Sequence, residues 1–100
     1  MRNQRWRSAP KGPLRGPIAM YYVYILKSTV ANRFYAGVTK DLEKRLINHN
    51  KGGTKSIKPF RPWRIAYIEK YIDKKQAFKR EFYLKSPKGY LEKKLITAKL

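Results

Sequence analysis

The sequence predicts an α+β fold, a small three-stranded antiparallel sheet flanked by helices in the order ββαβαα. Three observations predict it. A run of aromatic and β-branched residues, YYVYILK at 21–27, is followed after a turn-like stretch by the alternating RFYAGVT of 33–39. Two segments with helical apolar spacing, 40–50 and 73–86, bracket a further strand-like run, RIAYIEKY at 64–71. The chain has 100 residues, room for one compact core.

The first strand is apolar on both faces, so it is expected to be covered on both sides. The second alternates Phe34, Ala36 and Val38 on one face with Tyr35, Gly37 and Thr39 on the other. If Lys27 opposes Asn32 around the turn, Tyr24 lies directly across from Tyr35. Thr39 is expected to cap the first helix, with Asp41 and Glu43 in the first turn, where the helix dipole favours acids, and Lys51-Gly52-Gly53 at its end. At about 100° per residue, Arg45 and His49 fall on the same face as Leu42 and Leu46. Residues 52–63 carry two glycines and two prolines and read as an exposed loop. Asp73, with Gln76 three residues on, is the expected cap of the second helix, which carries Glu81 within its apolar arc. Ser86-Pro87 opens a last helix expected to turn Leu91, Leu95 and Ile96 inward.

Residues 1–19 hold five basic residues, three prolines and no acid, with no apolar periodicity, and read as a flexible basic arm, an extension or tag ahead of a domain spanning 20–100. Met20, directly before the first strand, is a candidate start. The whole chain has 25 Lys and Arg against 6 Asp and Glu, a formal charge of +19, and without the arm the domain keeps 20 basic residues. A polyanionic partner is expected, nucleic acid first. There is no cysteine and one histidine, which excludes disulfides, thiolate zinc sites and histidine-rich cages, so a metal would be held by oxygen. No apolar run approaches the ~20 residues of a membrane span, and a soluble, cytoplasmic protein is expected.

A charged side chain buried without a partner costs several kcal/mol or more, roughly, so Arg45, His49 and Glu81 on apolar helix faces need an explanation. An Arg45–Glu81 ion pair would supply one. Convergence on the Tyr24 and Tyr35 face of the hairpin would supply another, with a chemical use. A hard divalent cation binds through one carboxylate plus water and phosphate oxygens, a role open to Glu81. A guanidinium meets charge growing on phosphorus oxygens bidentately, as Arg45 could. The attacking water needs a base, and Tyr24, if nearby positive charge lowers its pKa, or His49 could act.

Tyr22-Val23-Tyr24, then Tyr35-Ala36-Gly37, then Arg45, His49 one helical turn on, and Glu81 on a later helix resemble the GIY-YIG nuclease superfamily. YYVYILKS and AFKREFYLK are similar to its small stand-alone members, over about residues 20–97. The resemblance implies one-metal, in-line hydrolysis of a nucleic-acid backbone. It makes Tyr24 the general base, Tyr35 its orienting partner, Gly37 a place of close backbone approach, Arg45 the transition-state stabiliser and His49 an auxiliary base or donor. It makes Glu81 the ligand of one Mg²⁺ or Mn²⁺ ion, and places Lys85 near phosphate. The sequence departs from the name motif at Tyr22 and Ala36, and no asparagine follows Glu81, where several family nucleases use one.

Lys51, Lys55, Lys58, Arg61 and Arg64 flank the expected cleft in sequence, with Phe60 and Trp63 interleaved, a composition suited to phosphate contact and base stacking, or else to a solvated loop whose aromatics cap the core. Lys74, Lys75, Lys79 and Arg80 extend the basic character along the second helix, as a patch or as an ordinary charged surface. The function expected is a metal-dependent DNA endonuclease selecting structure rather than sequence, DNA being favoured over RNA. The alternative is a non-catalytic nucleic-acid binding module with the same fold.

Overall fold

A computed structural model describes residues 20–98, so the arm expected at 1–19 lies outside the described residues. Strand β1 (Tyr21–Ser28) is central, paired antiparallel with β2 (Phe34–Thr39) on one side and β3 (Trp63–Tyr71) on the other. Helix α1 (Leu42–Asn50) and a 3₁₀ segment (Lys55–Phe60) lie between β2 and β3, and α2 (Lys74–Leu84) and α3 (Pro87–Ala98) follow. The expected α+β architecture is therefore present.

The two apolar faces of β1 serve two cores. Val23 and Ile25 pack with Ala36, Tyr71, Ala77 and Leu84 under α2 and α3. Tyr24 and Leu26 pack with Ile57, Trp63, Leu42 and Leu46 under α1 and the 3₁₀ segment. Each fully buried aliphatic side chain contributes about 1.5–3 kcal/mol, which fixes the central strand from both sides. A bulge in β3 between the partners of Ile25 and Leu26 leaves Ala66 without an opposite residue. It switches the alternation, so Trp63 and Ile65 join the α1 side while Tyr67, Glu69 and Tyr71 join the other.

The hairpin register differs from the expected one by two residues. Tyr24 opposes Gly37, and Tyr35 opposes Leu26. Ser28 explains the shift, because it is a strand residue rather than the start of the turn: its backbone N–H donates to Arg33 O, and its hydroxyl accepts from the N–H groups of Val30 and Ala31. An even shift preserves the face, so Tyr24 and Tyr35 still share one side of the sheet.

Asp41, not Thr39, caps α1, its carboxylate accepting from Lys44 N at 3.1 Å, while Thr39 Oγ1 accepts from Asp41 N. Asp73 caps α2 as expected, accepting from Lys75 N. The 52–63 stretch is not a plain exposed loop. Ile57 and Trp63 are buried, Trp63 Nε1 donates to Ile57 O, and Asn50 clamps the Trp63 backbone through both N–H and C=O. Trp63, 3% exposed, is a core residue and not a stacking surface, with Phe60 edge-on against it.

Helix α3 is rotated relative to the expectation. Ile96 packs inward, but Leu91 and Leu95 are exposed, and Gly89 and Lys93 are the buried positions. A Cβ at Gly89 would fall 2.5 Å from Leu84 Cα, so the glycine is what lets the two helices touch. Arg80 completes the packing: its Nε and Nη2 donate to the buried Glu69 carboxylate, each at 2.9 Å, and its guanidinium also pairs with Glu92 of α3. Tyr67 and Tyr71 hydroxyls donate to the same carboxylate. Burial alone would raise the Glu69 pKa, but the hydrogen bonds from Arg80, Tyr71 and Tyr67 outweigh it and hold the group below the ordinary carboxylate range. Arg80 is thus committed to this network rather than to an open basic patch.

Candidate active site

Tyr24 projects from the central strand, 2% exposed, and its ring crosses β2 at the one position there without a side chain. A Cβ on Gly37 would fall 2.5 Å from Tyr24 Cζ. The close approach expected at Gly37 is therefore an approach of the phenol. Tyr24 Oη lies 2.9 Å from His49 Nε2, and His49 Nδ1 lies 3.0 Å from Thr54 Oγ1. The apolar spacing of α1 turns His49 inward, where it is fully buried, and Tyr35 packs edge-on against its ring at 5.1 Å.

Arg45, one turn before His49 on α1, lies beside the Tyr24 and Tyr35 phenols, and its interaction with Tyr24 is the main reason that its pKa is raised. Burial pushes the Tyr24 phenol up to about 12, although Arg45 pulls the other way. The expectation that positive charge would lower this pKa is thus overturned by desolvation. Burial likewise holds the His49 imidazole down at about 4, with repulsion from Arg45 and Lys85 adding to it. At neutral pH the site contains a neutral phenol, a neutral imidazole and a guanidinium.

Glu81 reaches the site from α2, near enough for its charge to act on the Tyr24 phenol. No Arg45–Glu81 ion pair forms among the described residues; Glu81 Oε2 instead lies 3.1 Å from Lys85 Nζ. That ammonium also sits 5.0 Å above the Tyr35 ring, so Lys85 joins α2 to β2. No group of three or more His, Asp or Glu side chains that could hold a metal occurs among the described residues.

The structure thus brings together Tyr24, Tyr35, Gly37, Arg45, His49, Glu81 and Lys85. Lys51, Lys55, Lys58 and Arg61 are exposed at the end of α1 and along the 3₁₀ segment. Arg61 is partly engaged, donating to Lys58 O and Asn50 O. Arg64 pairs with Lys27 in the sheet, on the face opposite Tyr24, so it does not line the site. Thr54 is the residue that sequence reasoning missed. Its one signal was a hydroxyl just after Gly52-Gly53, close enough along the chain to fold back on His49. No helix among the described residues is long and apolar enough to cross a membrane.

Comparison with known proteins agrees with the fold. Residues 20–95 match the family model described as the GIY-YIG catalytic domain. The chain is 40% identical over 78 residues to the UPF0213 protein SSP2268 of Staphylococcus saprophyticus, covering 77% of this chain and 94% of that protein. It is 38% identical over 81 residues to the UPF0213 protein CPE1444 of Clostridium perfringens, covering 80% and 86%. The solution NMR structure of the UPF0213 protein BH0048 from Bacillus halodurans is similar at 28% identity and a TM-score of 0.47, over 80% of this chain and 85% of that one. With the family model spanning both tyrosines, Arg45, His49 and Glu81, the chain belongs to the GIY-YIG catalytic-domain family.

Proposed function

We propose that this protein is a metal-dependent endonuclease that hydrolyses phosphodiester bonds of DNA, selecting structure rather than sequence. The observation that carries the reading is the buried chain Tyr24 Oη to His49 Nε2 to His49 Nδ1 to Thr54 Oγ1, with Arg45 against the first hydroxyl. A histidine bonded at both nitrogens is held in one orientation against the Tyr24 hydroxyl, which suits it to receive a proton from that group.

With Nδ1–H donating to Thr54, Nε2 is free to accept the Tyr24 proton. Tyr24 then acts as a relay. It takes a proton from the attacking water as it passes its own to His49, so its high pKa is no obstacle to the net transfer. The water oxygen bonds to phosphorus, the bond to the leaving oxygen breaks, and that oxygen takes a proton from solvent while His49 returns its own to solvent. Arg45 donates to the phosphorus oxygens as their charge grows. Substrate phosphates bring negative charge beside Arg45 and Lys85, which offsets the repulsion that adds to burial in depressing the His49 pKa.

Glu81 fits one Mg²⁺ or Mn²⁺ ion. It is a single part-exposed carboxylate with Lys85 as its ion-pair partner, so the other ligands would be water and phosphate oxygens, the usual arrangement for this class of ion. When bound, such an ion supplies electrophilic polarisation of the phosphate. Lys85, released from Glu81, would turn to a phosphate oxygen, and Lys51, Lys55, Lys58 and Arg61 would hold the backbone by charge.

The second reading, a non-catalytic nucleic-acid binding module, is favoured by one observation: Tyr24 is almost fully buried and its phenol is neutral far above physiological pH. One experiment separates the two. Labelled duplex, single-stranded, branched and RNA substrates are incubated with Mg²⁺, Mn²⁺ or EDTA, for the parent and for Glu81→Ala. Metal-dependent cleavage that disappears in the variant is expected. Tight, salt-sensitive binding without cleavage of any substrate would establish the binding module instead.

A further inference from the structure

Helix α2 carries two large aromatic side chains that the fold does not use. Phe82 is 80% exposed and Phe78 is 45% exposed, one turn apart, in a protein whose other phenylalanines are half-buried against its two cores. Counting about 100° per residue from Ala77, Glu81 falls at about 40°, Lys74 at about 60°, Lys85 at about 80°, Phe78 at about 100°, Phe82 at about 140° and Lys75 at about 160°. The arc starts at the candidate metal ligand and runs outward, the two aromatic rings adjacent on it with lysines on either side. Lys74 Nζ stands 5.9 Å from the Phe78 ring centroid.

Exposed phenylalanine is unfavourable in water, and an exposed apolar patch marks a contact surface. The occupant follows from charge. A second copy of this chain would bring its own lysines against these, and the chain already carries +19. A nucleic-acid strand instead meets the lysines with phosphates and the rings with bases, and every base has a π-face to stack. A duplex cannot do this, because its base faces are already stacked on one another.

We propose that Phe78 and Phe82 form a base-stacking platform for unpaired nucleotides of a DNA strand whose backbone passes Glu81. The proposal rests on the nuclease reading of the site and names the substrate class, DNA with an unpaired segment beside the bond to be cut. Phosphates beside Lys74, Lys75 and Lys85 set the path of the strand, and the two rings hold bases out of the helix stack.

The test measures binding of the full chain in EDTA, so that it does not depend on cleavage. Fluorescence anisotropy is recorded with a labelled single strand, its duplex, and an abasic strand that keeps the phosphates but lacks bases. Phe78→Ala/Phe82→Ala is expected to weaken single-strand binding about tenfold or more, and to leave duplex and abasic binding within about twofold. Phe78→Tyr/Phe82→Tyr, which keeps the rings, is expected to retain single-strand affinity within about threefold. A single-strand change below about threefold, or an equal loss on all three ligands, overturns the platform. So does a parent dimer that the alanine variant converts to monomer, which would assign the face to a second copy. Failure of the nuclease reading shows separately, as intact discrimination in EDTA with no cleavage when metal is added.

Discussion

Gly37 lies directly opposite Tyr24 across the β1–β2 ladder, and the phenol occupies the space that any side chain at position 37 would need. Gly37→Ala therefore forces the ring away from His49 or the strands apart. Overpacking of this kind costs about 1–3 kcal/mol. The expected result is a melting temperature lowered by about 4–8 °C for each kcal/mol lost. Cleavage measured well below that temperature should fall further than the stability loss accounts for, and unaltered stability would show that the ring moves freely.

Acid should loosen the fold through His49. Its folded-state pKa of about 4 is below the ordinary 6.5, so on acidification the unfolded chain takes up the proton before the folded one does. Stability is complete above pH 6.5 and declines toward pH 4, by up to about 3 kcal/mol. Glu69 adds a separate loss at lower pH, because its carboxylate is held below its ordinary value in the fold. Urea midpoints between pH 7 and pH 4 read the first window, and His49→Gln should flatten it. A parent protein without that slope would mean that the imidazole is charged in the fold.

Thr54→Val removes the oxygen that His49 Nδ1 faces. Cleavage should drop about tenfold, less than the ~10²-fold or more for outright loss of a proton-transfer group because the imidazole itself remains, with DNA affinity unchanged. Thr54→Ser should restore it. Nitrogen chemical shifts of the imidazole give the readout that a merely structural role would not move, since the parent should hold one tautomer and Thr54→Val a mixture.

Arg45→Ala should slow cleavage about 10²-fold or more, as loss of one transition-state donor does elsewhere. Arg45→Lys should restore little, because a point charge cannot bridge two oxygens as a planar guanidinium does. A change below about threefold for alanine would remove Arg45 from the chemistry.

Arg80→Ala leaves the buried Glu69 carboxylate without its guanidinium and removes the ion pair from α2 to Glu92 of α3. Breaking a buried pair from one side costs about 3–5 kcal/mol, which thermal unfolding would read directly. Because Arg80 precedes Glu81, a milder Arg80→Lys that still folds should show weaker metal dependence in cleavage as α2 shifts.

Alternation and helical spacing make the strands and helices readable and put Tyr24 with Tyr35, and Arg45 with His49, on shared faces, whereas the meeting of Glu81 with them follows from the resemblance to the family. They do not show which group governs each detail of placement. One hydroxyl, that of Ser28, moved the hairpin register by two residues. The face of α3 was misread because its leucines look like a core stripe, whereas the helix is oriented by Gly89 against Leu84 and by Glu92 against Arg80. Those contacts come from another helix, so no pattern within α3 could reveal them. An Arg45–Glu81 ion pair is one of two explanations that the helical spacing allows for Glu81, but a lysine one turn away on its own helix reaches it first. Trp63 was ambiguous for the same reason: neighbouring prolines and lysines suggest a loop, and only the Asn50 clamp settles where the indole goes.

The extra residue in β3 at Ala66 makes one strand out of two segments in opposite phase. Deleting it would return the strand to a single phase, and one half would then turn its side chains to the wrong side: Trp63 and Ile65 away from the tyrosine–histidine pair, or Glu69 away from Arg80. The misplaced segment would expose an indole to water or bury a carboxylate among aliphatic groups. The two halves can therefore be varied one at a time, the first to adjust what lies beneath the active site and the second to adjust how the C-terminal helices are held, provided that the spare residue between them is kept.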